Sequence, residues 1–406
     1  MLVFLLACST APVGPAGGPT DAPALTTADA ARRLGHDRNT HARKAKTRHV
    51  DCNGTGDYLD IDTAIRDAHS GDTIEVAPCT YTGQLNFLGR AVHIIATGGP
   101  TVTTLVGTPG ESVVYAHRGE GPGTILEGFT ITGGGGDLIP AIEEEFSSLV
   151  LKNDVITGNV GNVTIYARSA LLTLDGVTID GTNTATEGMV VQGRRGQITV
   201  KDSSITCGST GIGYIMEHGS AFLDGAQFHC AGARAAEIFH SSGRVQRSTF
   251  DGVLHIENED SGSEGTVVEG SILYGGAAVV VSALDLKNSV VSGVGITANS
   301  GALKVVNSVV TGADCGVTLS RSSFTAATSD FYGNALNVCG GGDVVGSSGN
   351  IGVDPKFADA AALDFHLAAD SALIDAGSTD DAYVDVDGSR NDIGAFGGPF
   401  TMAGGW

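Results

Sequence analysis

LEGFTITG at 126–133, LKNDVITG at 151–158 and LDGVTIDG at 174–181 are copies of one eight-residue phrase. Each reads aliphatic, any residue, small or amide, two more, apolar, any, then Gly or Cys. Seven further copies follow: VKDSSITC from Val200, LDGAQFHC from Leu223, VQRSTFDG from Val245, VEGSILYG from Val268, LKNSVVSG from Leu286, VVNSVVTG from Val305 and AATSDFYG from Ala326. Their starts lie 18 to 26 residues apart, the length of one turn of a β-solenoid and shorter than a helical-pair repeat. Within each interval, short β-branched runs are broken by Gly, Asn, Asp or Ser, which is strand and turn chemistry with no room for a long helix. The pattern predicts an all-β chain, a right-handed parallel β-helix solenoid with its repetitive coils at 126–345.

Composition agrees. Sixty glycines in 406 residues suit coils that must bend sharply while stacking flat strands. The phrase resembles that of the pectin-lyase-like superfamily, which implies three short strands per coil. The segment 50–125 reads as an N-terminal cap and first coils. In it, Ile61, Ala64, Ile65 and Ala68 stand at helical spacing before Gly71-Asp72-Thr73-Ile74 turns into a strand. A short capping helix there would cover the open end of the solenoid. The stretch from Gly56 to Tyr81 resembles the opening of many pectin-lyase-like proteins, with Cys79 where glycine is usual.

The seven cysteines speak to compartment. Leu5-Leu6-Ala7-Cys8 resembles a bacterial lipobox, so 1–8 is expected to be a lipoprotein-type signal with Cys8 acylated. Residues 9–49, low in complexity and then basic, follow as a tether. The other six cysteines form pairs 27, 23 and 24 residues apart, each about one coil: Cys52 with Cys79, Cys207 with Cys230, Cys315 with Cys339. Cys207 and Cys230 share the last position of the phrase in neighbouring coils, where stacked strands lie within disulfide reach. Three such bonds imply an oxidising compartment and an exported chain.

At the other end, Asp354-Pro355-Lys356-Phe357, Asp364-Phe365-His366-Leu367, the run from Ser371 to Gly377, and Asp392-Ile393-Gly394-Ala395-Phe396 follow in order. Together they resemble the terminal motif of bacterial surface β-helix proteins of the choice-of-anchor Q type. The resemblance implies that 346–406 is a C-terminal cap on an extracytoplasmic surface protein, with anchoring through Cys8.

The net charge is −22, and beyond residue 50 only 16 cationic side chains face 42 Asp and Glu. Such a surface repels nucleic acid, so that class of partner is excluded, and a membrane is approached only through a lipid anchor. A polysaccharide or a cell-envelope component is the expected partner. Five residues before Val200, Leu223 and Val245 stand Arg195, His218 and His240, a register that would stack them on one outer face as a track for an anionic sugar. A lyase needs a base and an enolate-stabilising cation, for which these three are the catalytic candidates. Six to eight residues before phrase starts lie Tyr166, Arg168, Gln192, Arg194, Glu217 and Glu237, polar or stacking groups suited to a glycan.

Calcium is the one ion that the acidic groups suggest. Glu257, Glu259 and Asp260 form one candidate set, and Asp385, Asp387 and Asp392 another. The cluster Glu143–Glu145 lies five coils from Glu257, on the order of 24 Å, too far for a shared ion or a catalytic carboxylate pair. No phosphate-cradling loop, zinc-ligand spacing or dinucleotide fingerprint occurs in the sequence. Three functions stay open: a surface protein binding carbohydrate or envelope partners along its solenoid face, a polysaccharide lyase or glycoside hydrolase acting on acidic glycans, and a structural or adhesive envelope element.

Overall fold

A computed structural model describes residues 43–182, 184–208, 211–258 and 265–402, with backbone alone for 184–187. Cys8 and the segment 1–8, most of the tether, and Glu259 and Asp260 lie outside the described residues. From Ala45 onward the chain forms one compact unit. It is a parallel β-solenoid of three sheets with thirteen, twelve and twelve strands, each strand pairing with its counterpart one coil away. Sheet I holds the strands that open the phrase, sheet II those that close it, and sheet III the strands between one phrase and the next.

The phrase explains this architecture residue by residue. Its first and sixth positions point inward: Leu126, Leu151, Leu174, Val200, Ile131, Ile156, Ile179 and Ile205 are all essentially inaccessible to solvent. Its third position makes the corner between sheets I and II. Gly128, Asn153, Gly176, Asp202, Gly225, Arg247, Gly270, Asn288, Asn307 and Thr328 all adopt positive φ, which explains the small or amide preference. The fourth position, which carries no obvious signal by itself, becomes an internal serine ladder. Ser248, Ser271, Ser289 and Ser308 each donate a backbone N–H to the side-chain oxygen one coil on, at 3.2 Å. Each hydroxyl in turn donates to the carbonyl two residues back, so the polar corner is satisfied internally.

The capping helix forms at Ile61–Asp67, with the Asp60 side chain accepting from the Thr63 N–H and with Ile61, Ala64 and Ile65 buried. The tether reading of 9–49 needs correction at its end. Thr47–Val50 is the first strand of sheet I and pairs with Thr73–Val76. Within it, buried Arg48 forms an ion pair with Asp72 and donates to the Asp67 carbonyl. That guanidinium and the Lys46 and His69 N–H groups hold the buried Asp72 carboxyl below its ordinary range despite desolvation.

The C-terminal segment does more than close an end. Phe365, Leu367, Leu373, Ile393 and Ala395 pack on Ile272, Val290 and Val309, outward residues of sheet II. Those three occupy the fifth phrase position, which earlier coils fill with Thr130, Val155, Thr178, Ser204, Gln227 and Thr249, polar in every case but Val155. Where the segment covers the sheet, the outward position is apolar in three successive coils. Asn288 and Asn307 complete the join by bonding the Asp392 carbonyl and the Ser378 N–H.

Three disulfides are present, Cys52–Cys79, Cys207–Cys230 and Cys315–Cys339, with Cα separations of 6.4, 5.1 and 6.1 Å. They point to an oxidising, extracytoplasmic location. Among the described residues no helix is long and apolar enough to cross a membrane.

Candidate functional site

Sheet III places most of the polar candidates. Its strands Ile142–Glu145, Gly161–Arg168, Thr184–Arg194, Ile212–Glu217, Arg234–Phe239 and Val253–Glu257 stack in that order. Alternation sends every second side chain outward, so in-register residues form columns. One column runs Glu143, Tyr166, Gln192, Ile215, Glu237, His255. The next runs Glu145, Arg168, Arg194, Glu217, Phe239, Glu257.

Ion pairs organise this face. Arg168 lies 2.7 Å from Glu145 and Arg194 lies 2.7 Å from Glu217, both between adjacent coils. Arg234 holds Glu237 at 3.0 Å, and His255 Nε2 stands 3.1 Å from Glu257. Arg168 also lies over the Phe146 ring, 5.3 Å from its centroid. Tyr115 borders the face at its first coils, its hydroxyl pushed up by burial and by neighbouring Glu143.

The sequence register stacks Arg195, His218 and His240 on one outer face. They lie instead at the corner between sheets III and I, in the left-handed region with φ of 56, 55 and 47°. The same corner position is held by Phe146, Ser169, Val281, Ser300 and Arg321, all at positive φ. The hydrogen-bond geometry accounts for this: Arg195, His218 and His240 donate their backbone N–H to the carbonyls of Glu217, Phe239 and Glu257 one coil on. Among them, the His218 and His240 rings stack with centroids 5.0 Å apart and planes 23° apart. Arg195 and His218 are exposed and His240 is half-buried. The three therefore edge the sheet III face rather than form its floor.

A groove of about 890 Å³ runs along the opposite edge, at the corner between sheets II and III. Arg234, Asp251, Tyr274 and Val294 line it together with glycine backbone. Arg234 thus joins the groove to Glu237 on the sheet.

The calcium candidates separate. Asp385 accepts from the N–H groups of Asp392 and Gly398, Asp392 from that of Asp375, and Asp387 from the N–H and hydroxyl of Ser389. These carboxylates terminate turns of the C-terminal segment, and Arg390 binds the carbonyls of Ala376 and Gly377 beside them. Burial and the nearby carboxylates push Asp392 up to about 6. Glu257 turns toward His255, a residue that the phrase register does not single out. Glu237, His255 and Glu257 are the metal-capable grouping among the described residues.

Sheet I offers a contrasting polar column: Glu127, Lys152, Asp175, Lys201 and Asp224 alternate in sign from coil to coil. Such a column neutralises itself and needs no ligand.

The solenoid is similar to a solved structure of pectate lyase Pel9A, with a TM-score of 0.44 and 13% identity over 87% of this chain and 97% of that one. No protein-family model matches the chain, and no curated protein does.

Proposed function

We propose that this protein is an exported solenoid, anchored through an acylated Cys8, that binds carbohydrate of the cell envelope or surroundings along the outward face of sheet III. The reading is carried by the concentration of Tyr166, Gln192, Arg168, Arg194, Glu217 and Glu237 in two adjacent columns of one flat, rigid sheet. Columns repeat at about 4.8 Å, so an extended glycan lying along the stack meets hydroxyl-binding groups at regular intervals. Tyr166 offers an apolar ring face to a sugar, and the guanidiniums offer forked donors to hydroxyls or carboxylates. Arg195 at the sheet edge has no ion pair among the described residues and supplies a cation for an acidic sugar.

Binding is favoured over catalysis by the state of the carboxylates. Glu145, Glu217 and Glu237 are each engaged by an arginine, an arrangement that fixes geometry rather than one that passes protons. Calorimetric titration of the purified protein with neutral and uronic-acid polysaccharides tests the reading. Binding that falls by about tenfold or more in Tyr166→Ala and Arg194→Ala is the expected result, roughly 1.4 kcal/mol per tenfold. Absence of binding across the panel overturns it, and release of unsaturated uronate products replaces it with a lyase. For the anchor, Cys8→Ser is expected to release the protein from the membrane fraction.

A further inference from the structure

The last coils of the polar face hold a grouping whose chemistry differs from glycan recognition. Glu237 and His255 are cross-strand partners in adjacent coils. Glu257 follows His255 by two residues, which turns it to the same side of the sheet. One ligand atom from each of the three lies within 4.8 Å of the others, and His255 Nε2 is 3.1 Å from the Glu257 carboxylate. We infer that Glu237, His255 and Glu257 bind a divalent transition-metal ion of the zinc class through one nitrogen and two oxygens.

The donor set decides the class of ion. Calcium takes six to eight oxygens and has no use for an imidazole, whereas zinc accepts mixed histidine and carboxylate ligands in groups of three with a position left for water. Tetrahedral bonds of about 2.0 to 2.1 Å place ligand atoms roughly 3.3 Å apart. The His255 to Glu257 separation is already near that value, and side-chain rotation closes the remaining gaps.

Charge and rigidity point the same way. Glu237 is only 6% exposed and His255 is largely enclosed, so both ligands sit where water screens poorly. Two carboxylates converge there and the ion pair with Arg234 supplies one cation. That contact comes from a single nitrogen, 3.0 Å from each Glu237 oxygen. A carboxylate has about four lone-pair directions, so a metal can share Glu237 with Arg234. All three ligands project from paired strands held on both sides by further coils, and little ordering is left to be done on binding. The other histidine–carboxylate contacts, His49 with Glu75, His93 with Glu127 and His366 with Asp364, do not belong to a threefold grouping among the described residues.

The test uses the full-length, disulfide-bonded protein after chelator treatment. It is titrated with Zn²⁺ by calorimetry and with Co²⁺ by visible absorption, and Ca²⁺ serves as the hard-cation control. One equivalent of Zn²⁺, Co²⁺ bands of a low-coordinate site and weak or no Ca²⁺ binding are expected. His255→Ala and Glu257→Gln should each lower Zn²⁺ affinity by more than about tenfold, since even outer-sphere changes have that effect. His218→Ala, at the stacked corner pair, should leave it unchanged. Glu257→Gln preserves shape, so its loss of Zn²⁺ with an unaltered thermal melt separates ligation from misfolding. Wild-type protein that takes up no Zn²⁺, variants at 255 and 257 that bind as before, or loss on His218→Ala instead would each overturn the inference. None of these outcomes depends on whether a glycan binds.

Discussion

Sheet III is two surfaces on one scaffold. From Ile142–Glu145 to Val253–Glu257 its outward columns carry Glu, Tyr, Arg, Gln and His with Ile215 and Phe239 among them, whereas the next strands present Ala278, Val280, Thr297, Asn299, Thr318 and Ser320. The strand pairing is parallel and in register throughout most of both halves, and the inner side is apolar in both except at Glu144. Folding therefore does not require the charged columns. Small neutral residues satisfy the same sheet, and the cost of ordering long side chains and desolvating ion pairs in the first half calls for another explanation. The proposed glycan binding would supply it.

If the halves differ only in their outer surface, core truncations should cost alike. Ile238→Ala beneath the charged half and Ile296→Ala in the neutral half each remove a buried side chain of the same kind and should cost about 2 to 5 kcal/mol, read from urea midpoints. A much larger loss in one half would show that the two are not equivalent scaffolds.

A smaller effect sharpens the point from inside. The inward column of sheet III runs Glu144, Ala167, Gly193, Met216, Ile238, Ile256, Val279, Ala298 and Leu319, so Glu144 is a carboxyl in an apolar file. Neither of its oxygens has a hydrogen-bond partner, although the Leu149 and Leu171 N–H groups lie nearby. Burial raises its proton affinity well above the ordinary carboxylate range. The folded chain then holds a proton that the unfolded chain releases, so this group's contribution is intact in acid and is lost as pH rises toward the raised value. Glu144→Leu should add about 1 to 3 kcal/mol at neutral pH and flatten the fall in stability as pH rises from acid. Thermal melts between acid and neutral pH measure both.

On the surface the expected changes are smaller still. Arg168→Ala and Arg194→Ala should cost about 1 kcal/mol or less in stability, because exposed ion pairs contribute little. Thr297→Ala and Thr318→Ala in the neutral half should stay within about 0.5 kcal/mol and leave glycan binding untouched. Equal loss of binding from both halves would end the comparison.

The coils were legible because the phrase has fixed internal spacing, and its first and sixth positions are buried in every copy but the last, where Ala326 is partly exposed. The corner before each phrase was legible in register but not in conformation: Arg, His, Phe and Val give no glycine signal, yet Arg195, His218, Phe146 and Val281 all take positive φ. The Glu237–His255–Glu257 grouping was hidden for a different reason. Glu237 stands eight residues before Val245, but His255 stands thirteen before Val268, because more residues intervene. Register across coils survives such an insertion in space and is lost in counting. The reach of the C-terminal segment over sheet II could have been read from Ile272, Val290 and Val309, apolar residues at an outward position.

The three disulfides have a consequence for durability. Each coil of a solenoid touches only its neighbours, so the chain comes apart by peeling from an end. Cys52–Cys79 fastens the first turn, Cys315–Cys339 joins the last two strands of sheet III, and Cys207–Cys230 divides the length between them. A strand that peels at either end is still tied to the turn beneath it and remains poised to re-zip. Proteases of an oxidising, extracytoplasmic compartment then meet short, retethered slack instead of a lengthening loose thread, until a reductant cuts the outermost knots.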